Sequence, residues 1–336
     1  MIWWLLFITL SLAWTLTGLL RRYALARNLM DVPNQRSSHT VATPRGGGVA
    51  IVLAFLLALV FLLGNGQLSA SAFYGLAGSG ALVAIIGFLD DHGHIAARWR
   101  LLGHFSAASI ALIFQGGLSP VLLFGTTYDL GIAGDVLAAV FLVWMLNLYN
   151  FMDGIDGLAS VEAVTTCLSG ALLYLLVAQP GEAFLPLMLA AATAGFLIWN
   201  FPPAKIFMGD AGSGFLGITL GVLVLSALAV DPALFWGWLI LLGVFVVDAT
   251  TTLLRRLLRG DRVYEAHRSH AYQYASRQLG SHRPVTLAVL FINVVWLLPL
   301  ACSVSLGYLD GLLGVLVAYA GLFVLALKFK AGVKEN

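Results

Sequence analysis

About eleven stretches of roughly 20 residues, each almost purely apolar, follow one another along this chain with short polar breaks between them. They run over 2–20, 46–64, 71–89, 102–118, 133–151, 158–178, 183–200, 213–230, 233–252, 286–305 and 309–327. Hydrophobic residues make up 60% of the chain and charged residues 10%, where a soluble domain carries about 25% charged. One soluble core cannot hide that much apolar surface, so a bilayer is the fitting solvent. In lipid every backbone polar group must be paired within the segment, which leaves helices for runs of this length. The expected fold is an all-α polytopic membrane protein, a single domain over 1–336 with no soluble appendage. The first stretch lacks the basic lead of a signal peptide and is followed by Arg21 and Arg22, so a retained span is expected.

The charges sort by side. All 18 Lys and Arg fall in 21–45, 92–101, 201–212, 253–285 and the tail from Lys328. With eleven crossings these segments share one face of the membrane, and the opposite loops hold none. Positive charge marks the cytoplasmic side, so the N-terminus is expected outside and the C-terminus inside, in a bacterial inner membrane. A net charge of +2, with no basic run interleaved with aromatics, gives no footprint for nucleic acid. Cys167 and Cys302 sit in apolar stretches and read as small hydrophobes, neither a disulfide nor a zinc site.

The polar clusters gather in the same basic-side loops. The first runs from Asp31-Val32-Pro33-Asn34 through His39 to Thr43-Pro44-Arg45-Gly46-Gly47-Gly48. An ordinary headgroup anchor would look like this. So would a ligand loop, with bare glycine backbone for close approach and His39 and Arg45 for phosphate. Asp90-Asp91 closes the third stretch; two adjacent carboxylates repel, and a divalent cation or a shared proton relieves that. Arg98 and Arg100 follow within one short loop and are candidates for phosphate contact.

In the third cluster, Asn150-Phe151-Met152-Asp153-Gly154-Ile155-Asp156-Gly157, a helical spacing of three would bring Asn150, Asp153 and Asp156 to one face. That loop holds no Lys or Arg, so its carboxylates want a cation from elsewhere. The fourth cluster, Asn200 through Pro202-Pro203 and Lys205 to Gly209-Asp210-Ala211-Gly212, opens the eighth stretch. Amides at such a helix start favour phosphate, with Asp210 placed to hold a metal; a plain helix cap by Asp210 is the alternative. In the longest loop, His267 and His270 flank Arg268 at a spacing that suits one helix face, and phosphate contact fits better than zinc. Asp248 is the one acid expected well inside a stretch, and intramembrane acids are functional candidates by default.

In this order, these clusters resemble the polyprenyl-phosphate N-acetylhexosamine-1-phosphate transferase family across essentially the whole chain. NFMDGIDGLA at 150–159 and NFPPAKIFMGDAGSGF at 200–215 carry the resemblance most specifically. DVPNQRSSH at 31–39 and HRSHAYQ at 267–273 look closest to the branch that starts O-antigen lipid-linked glycans in Gram-negative bacteria. The resemblance implies a Mg²⁺-dependent transfer, with Mn²⁺ as substitute ion, in which undecaprenyl phosphate attacks the β-phosphorus of a UDP-N-acetylhexosamine and UMP leaves. UDP-GlcNAc, UDP-FucNAc and UDP-QuiNAc are the donors in view, and a homodimer is an option.

By the same resemblance Asp210 is the metal ligand, and Asp90 and Asp91 are the catalytic pair. Substrate contacts map onto Asn150, Asp153, Asp156, Asn200, Lys205, His267, Arg268, His270, Arg45 and Arg100. The histidine motif departs from the family, because Arg268 and Ser269 stand where the peptidoglycan branch has a run of histidines. Arg100 stands where many relatives carry lysine. Direct attack of the lipid phosphate is favoured over a covalent Asp90 or Asp91 intermediate, because that phosphate is already ionised at neutral pH. A secondary transporter is the rival class; acids gathered at one face and no inverted repeat count against it.

Overall fold

The computed structural model describes residues 2–33, 38–93, 95–261 and 267–334. Asn34 and residues 35–37 of the first cluster therefore lie outside the described residues. The helices are α1 (Ile2–Ala26), α2 (Val49–Gly64), α3 (Ala70–Gly93), α4 (Ala97–Gln115), α5 (Gly131–Met152), α6 (Leu158–Leu176) and α7 (Phe184–Asn200). They continue as α8 (Asp210–Val230), α9 (Pro232–Leu241), α10 (Gly243–Leu258), α11 (Ala271–Leu279), α12 (His282–Ile292), α13 (Leu298–Ser305) and α14 (Gly311–Lys328). A single π turn, Asn293–Leu297, joins α12 to α13. Two short antiparallel pairs are the strands among the described residues: β1 (Met30–Asp31) with β2 (Thr43–Pro44), and β3 (Val121–Leu123) with β4 (Thr126–Tyr128).

Each of the eleven apolar stretches lies in helix, but eleven full spans is too many. Seven helices among the described residues are long and apolar enough to cross a bilayer, and eight if the bent pair α9–α10 counts as one crossing. The reason is local. α2 and α7 are only 16 and 17 residues long, because the chain before α2 and after α7 is folded into the polar face instead of extending a helix. α4 opens on Arg98 and Arg100, which draws its first turn into the polar layer.

α8 is the central post. Inside the protein lies 83% of its apolar window, against 22% for α1 at the rim. It packs on α3, α5 and α9, while α1 leans on α2 and α7, and α6 on α7. Small residues allow this approach. A Cβ added at Gly212 would lie 2.6 Å from the Gly48 Cα, so the starts of α2 and α8 touch backbone to backbone. Around the rim, Trp3, Trp4, Ile113, Ile132, Leu257 and Phe291 stand exposed, far more apolar surface than water tolerates.

Two departures from regular helix mark the interior. α9 and α10 meet at Leu242 with a bend of 67°. Glu162 of α6 is fully buried and accepts from the Asn293 amide at 2.7 Å, and that amide also donates to Thr165 at 2.8 Å. The π turn begins at Asn293, an insertion of the kind that re-aims a side chain. Cys167 is buried and Cys302 half-buried, both unpaired, as small hydrophobes should be.

Candidate active site

The loops of the basic face close over a cavity of about 240 Å³. Of the residues expected at a site, Arg45, Asp91, Asn150, Asp153, Asp156, Asn200 and Asp210 line it together. Their convergence is built from backbone. Phe207 N–H donates to the Pro44 carbonyl at 2.8 Å, and Gly47 and Gly48 N–H donate to the Phe207 and Met208 carbonyls at 2.9 Å each. This zips the loop before α2 to the loop before α8. Gly47 and Gly48 serve packing, since a Cβ on Gly48 would strike Gly212 and Met208, while Gly46, at a φ of +90°, faces open space.

Asp210 opens α8 without capping it. Gly209 is the cap, at a φ of +80° that glycine adopts freely. The Asn150 amide donates to Asp210 Oδ1 at 2.9 Å and to Ser213 Oγ at 3.0 Å, aiming the carboxylate. Asp91 accepts from the Ala211 N–H at 3.4 Å, so a carboxylate from α3 occupies the amide end of α8 where phosphate had been expected. Arg45 donates to the Asp91 backbone carbonyl. Asp90 is held apart from Asp91: it accepts from the Ile95 N–H at 2.7 Å and pairs with Arg100. The Arg100 guanidinium also stands 3.9 Å from Asp210 Oδ2, bridging the two acids.

Asn150, Asp153 and Asp156 do not share a helix face. α5 ends at Met152, and Gly157, with φ +73°, turns the chain into α6. They converge because the loop wraps the cavity. Burial, reinforced by the nearby Asp210, Asp91 and Asp156 charges, pushes the Asp153 carboxyl well above the ordinary carboxylate range. Asp156 differs. Burial acts to raise it too, but hydrogen bonds from His282 and from the Ala204 N–H at 3.0 Å prevail and hold it below that range. Asn200 is consumed by structure, accepting from Gly157 N–H at 3.0 Å and donating to the Ile206 carbonyl at 3.0 Å.

The remaining expected residues stand elsewhere. Lys205 lies outside the cavity, its ammonium 5.6 Å from the Trp199 ring centre. His267, Arg268 and His270 do not line it either, and Glu265 and Ala266 of their motif lie outside the described residues. Nor do the two histidines share a helix face: His267 is in loop and His270 caps α11, their rings 4.9 Å apart. Burial, with His270 and Arg256 close by, lowers His267 to about 3, which disfavours its charged form. Asp248 organises this segment. Its Oδ1 accepts from Ala271 N–H at 2.9 Å and faces His270 Nδ1 at 3.3 Å, while Oδ2 accepts from Tyr272 N–H at 3.1 Å. Tyr272 then donates to the Phe151 carbonyl at 2.9 Å, coupling the histidine segment to the acid loop.

Among the lining residues His282 escaped the sequence reading, and Ser213 and Gln273 stood inside the 200–215 and 267–273 motifs without a role. His282 bridges Asp156 Oδ1 at 3.2 Å and the Ser38 carbonyl at 3.0 Å. Gln273 and Ser213 also reach the wall. The one available signal was His282 at the start of an apolar stretch, a polar residue that sat too far along the chain to be joined to the acids.

No three Asp, Glu, His or Cys among the described residues are arranged to enclose a metal by themselves. Asp210, with Asp91 and Asp153 on the same cavity wall, is a carboxylate set of the kind Mg²⁺ takes, its shell completed by water and substrate phosphate. Behind the acid loop lies a second, apolar cavity of about 130 Å³, lined by Met152, Leu158, Val244, Tyr272, Val285 and Leu322 among others. Its lining residues Met152 and Leu158 stand at the two ends of the acid loop, and its Tyr272 is next in sequence to Gln273 of the first cavity.

A helical membrane protein with an acid-lined, cation-flanked cavity at one polar face is thus the class that fold and site define. Residues 73–228 match the family described as Glycosyl transferase family 4, and the chain belongs to that family. It is 30% identical over 287 residues to the probable undecaprenyl-phosphate N-acetylglucosaminyl 1-phosphate transferase of Bacillus subtilis (strain 168), covering 84% of this chain and 79% of the relative. It is 29% identical over 313 residues to the decaprenyl-phosphate N-acetylglucosaminephosphotransferase of Mycolicibacterium smegmatis, covering 83% and 76%. A phospho-N-acetylmuramoyl-pentapeptide-transferase of Thermotoga neapolitana is 33% identical over 217 residues, covering 62% and 68%.

Proposed function

We propose that this protein transfers N-acetylhexosamine 1-phosphate from a UDP-sugar to undecaprenyl phosphate, releasing UMP, with its acid cavity at the cytoplasmic face of a bacterial inner membrane. The observation that carries the reading is a cavity lined by acids and Arg45 beside an apolar chamber lined by Met152 and Leu158, the two ends of the loop that carries Asp153 and Asp156. A water-soluble nucleotide and a lipid-borne phosphate need that adjacency. The relatives' names supply the chemistry, since both with the wider coverage are named as polyprenyl-phosphate transferases of an N-acetylglucosamine phosphate. The shorter coverage of the pentapeptide transferase and the His267-Arg268-Ser269-His270 sequence favour a free hexosamine over a peptidoglycan precursor. The product would begin a lipid-linked glycan of the O-antigen kind.

In the proposed reaction an oxygen of the acceptor phosphate forms a bond to the donor's β-phosphorus. The bond from that phosphorus to the oxygen bridging the α-phosphate breaks, and the oxygen leaves on UMP. Asp210, aimed by Asn150, would hold Mg²⁺ with Asp153 close enough to share the charge; the ion supplies neutralisation between two anionic substrates. Arg45 lines the cavity and Arg100 stands 3.9 Å from Asp210 Oδ2, and both would offset phosphate charge. Asp90 and Asp91 are both engaged, one by Arg100 and the Ile95 amide, the other by the α8 amide. Carboxylates so tied are poor nucleophiles, which supports direct attack by the lipid phosphate.

The test is purified protein in lipid nanodiscs with undecaprenyl phosphate, Mg²⁺ and UDP-GlcNAc, UDP-FucNAc or UDP-QuiNAc in turn. UMP should appear with one donor preferred, EDTA should stop it, and Asp210→Asn should lower the rate at least about 10²-fold. UDP as the nucleotide product would refute attack at phosphorus.

A further inference from the structure

The chain beyond α14 does not run off into solvent. It turns back at Lys330 and Gly332, with φ of +54° and +72°, and buries Ala331 against α10. Two guanidinium groups from the C-terminal end of α10 hold it there. Arg255 Nη1 donates to the Ala331 carbonyl at 2.9 Å, and Arg259 Nη1 to the Gly332 carbonyl at 2.8 Å. The Lys330 ammonium sits 5.0 Å from the Tyr274 ring centre on α11. Finally the Gly332 N–H donates to the Ser269 carbonyl at 2.7 Å.

Ser269 is the pivotal partner. It stands between His267 and His270, and its amide and hydroxyl lie 3.4 and 3.0 Å from His267 Nδ1. With Nδ1 accepting from the amide, the ring's proton belongs on Nε2, which is left as the donor. We propose that the tail at 330–332 positions the His267–His270 segment: by gripping Ser269 it fixes the tautomer and place of His267, whose ring packs on His270, and through Asp248, Tyr272 and the Phe151 carbonyl it steadies the acid loop that binds the donor. This rests on the proposed transferase function. Gly332 is a positioning residue and touches no substrate. Its place admits little else, since a Cβ there would lie 2.8 Å from the Arg255 Cβ and 3.0 Å from the Thr252 carbonyl, at an already left-handed φ.

The experiment compares the full chain with one ending after Phe329, one ending after Lys334, and the point changes Gly332→Ala, Arg255→Met and Arg255→Lys, all in nanodiscs. Ending after Phe329, Gly332→Ala and Arg255→Met should each raise the KM for the UDP-sugar about tenfold, leaving the KM for the lipid phosphate within about twofold. Arg255→Lys should recover most of the loss, and the chain ending after Lys334 should match wild type. Deuterium uptake at the His267 ring C2, read without turnover, should speed up in the same variants. Unchanged donor KM and unchanged His267 uptake, with only the melting temperature lowered, would reduce the tail to a structural strap and overturn the proposal. A wild-type chain inactive with every UDP-hexosamine would instead refute the transferase reading, and the His267 uptake would still decide the tail's grip.

Discussion

Gly87→Ala is the sharpest test of how the site is held. Gly87 lies on α3, one turn before Asp90-Asp91, against the first turn of α8. A Cβ there would lie 2.5 Å from the carbonyl carbon and oxygen of Asp210 and 2.6 Å from the Ala211 nitrogen. Ordinary contact begins near 3.4 Å, so the start of α8 must retreat about 0.9 Å. The neighbours are backbone and cannot swing aside. Overpacking of this kind costs about 1–3 kcal/mol of stability, which a bundle of this size survives. Catalysis is less forgiving, because a displacement of about 1 Å costs about 10²-fold in rate, close to 2.7 kcal/mol of barrier. The same retreat pulls Asp210 from Asn150 and Ala211 from Asp91, so the loss should fall on kcat and on the Mg²⁺ requirement. The assay is UMP release at saturating donor, acceptor and Mg²⁺, with melting temperature measured alongside. Gly75→Ala on the same helix is the control, since its Cβ would meet only Phe114 Cβ at 3.4 Å and the Ala111 carbonyl at 3.7 Å. Gly87→Ala turning over within about threefold of wild type would show that the α3–α8 contact does not set the site's geometry.

Asp153→Asn should part stability from activity. The folded-state carboxyl is raised, so its contribution to stability is fully present below the ordinary carboxylate range and is lost as pH rises through the folded value. Removing the charge should raise the melting temperature at neutral pH in EDTA, flatten its fall with rising pH, and lower UMP release; an unchanged or lower melting temperature would refute this. Reporter fusions test orientation: a periplasm-active enzyme fused after Asp231 should be active and one after Gly260 silent, because all 18 basic residues lie on the other side. The reverse pattern would place the acid cavity outside.

Much of the architecture was legible because lipid makes composition speak. Charge segregation located the polar face, and each acid of the cavity sat in a contiguous motif that could be read without knowing its neighbours. What escaped depended on contacts between distant segments. His282 meets Asp156 across 126 positions, and no local pattern announces that. Asn200 lines the cavity as expected, and its amide also ties Gly157 to Ile206, a contact no local pattern announces. The span count overshot because hydropathy does not register where backbone stops being helical, as it does before α2 and after α7. Helical spacing also misled at 150–156 and 267–270, where a glycine at positive φ and a histidine cap mark the helix ends.

The apolar chamber that Met152 and Leu158 line has a kinetic consequence. A reactant that arrives through the apolar chamber never has a bulk concentration; its supply is counted as mole fraction within the membrane plane. Diluting the bilayer with inert lipid then slows the reaction at constant total acceptor, while diluting the water phase starves only the other substrate. Saturation by the two partners is governed in two different dimensions, and the chain from Met152 to Leu158 carries residues that line both cavities.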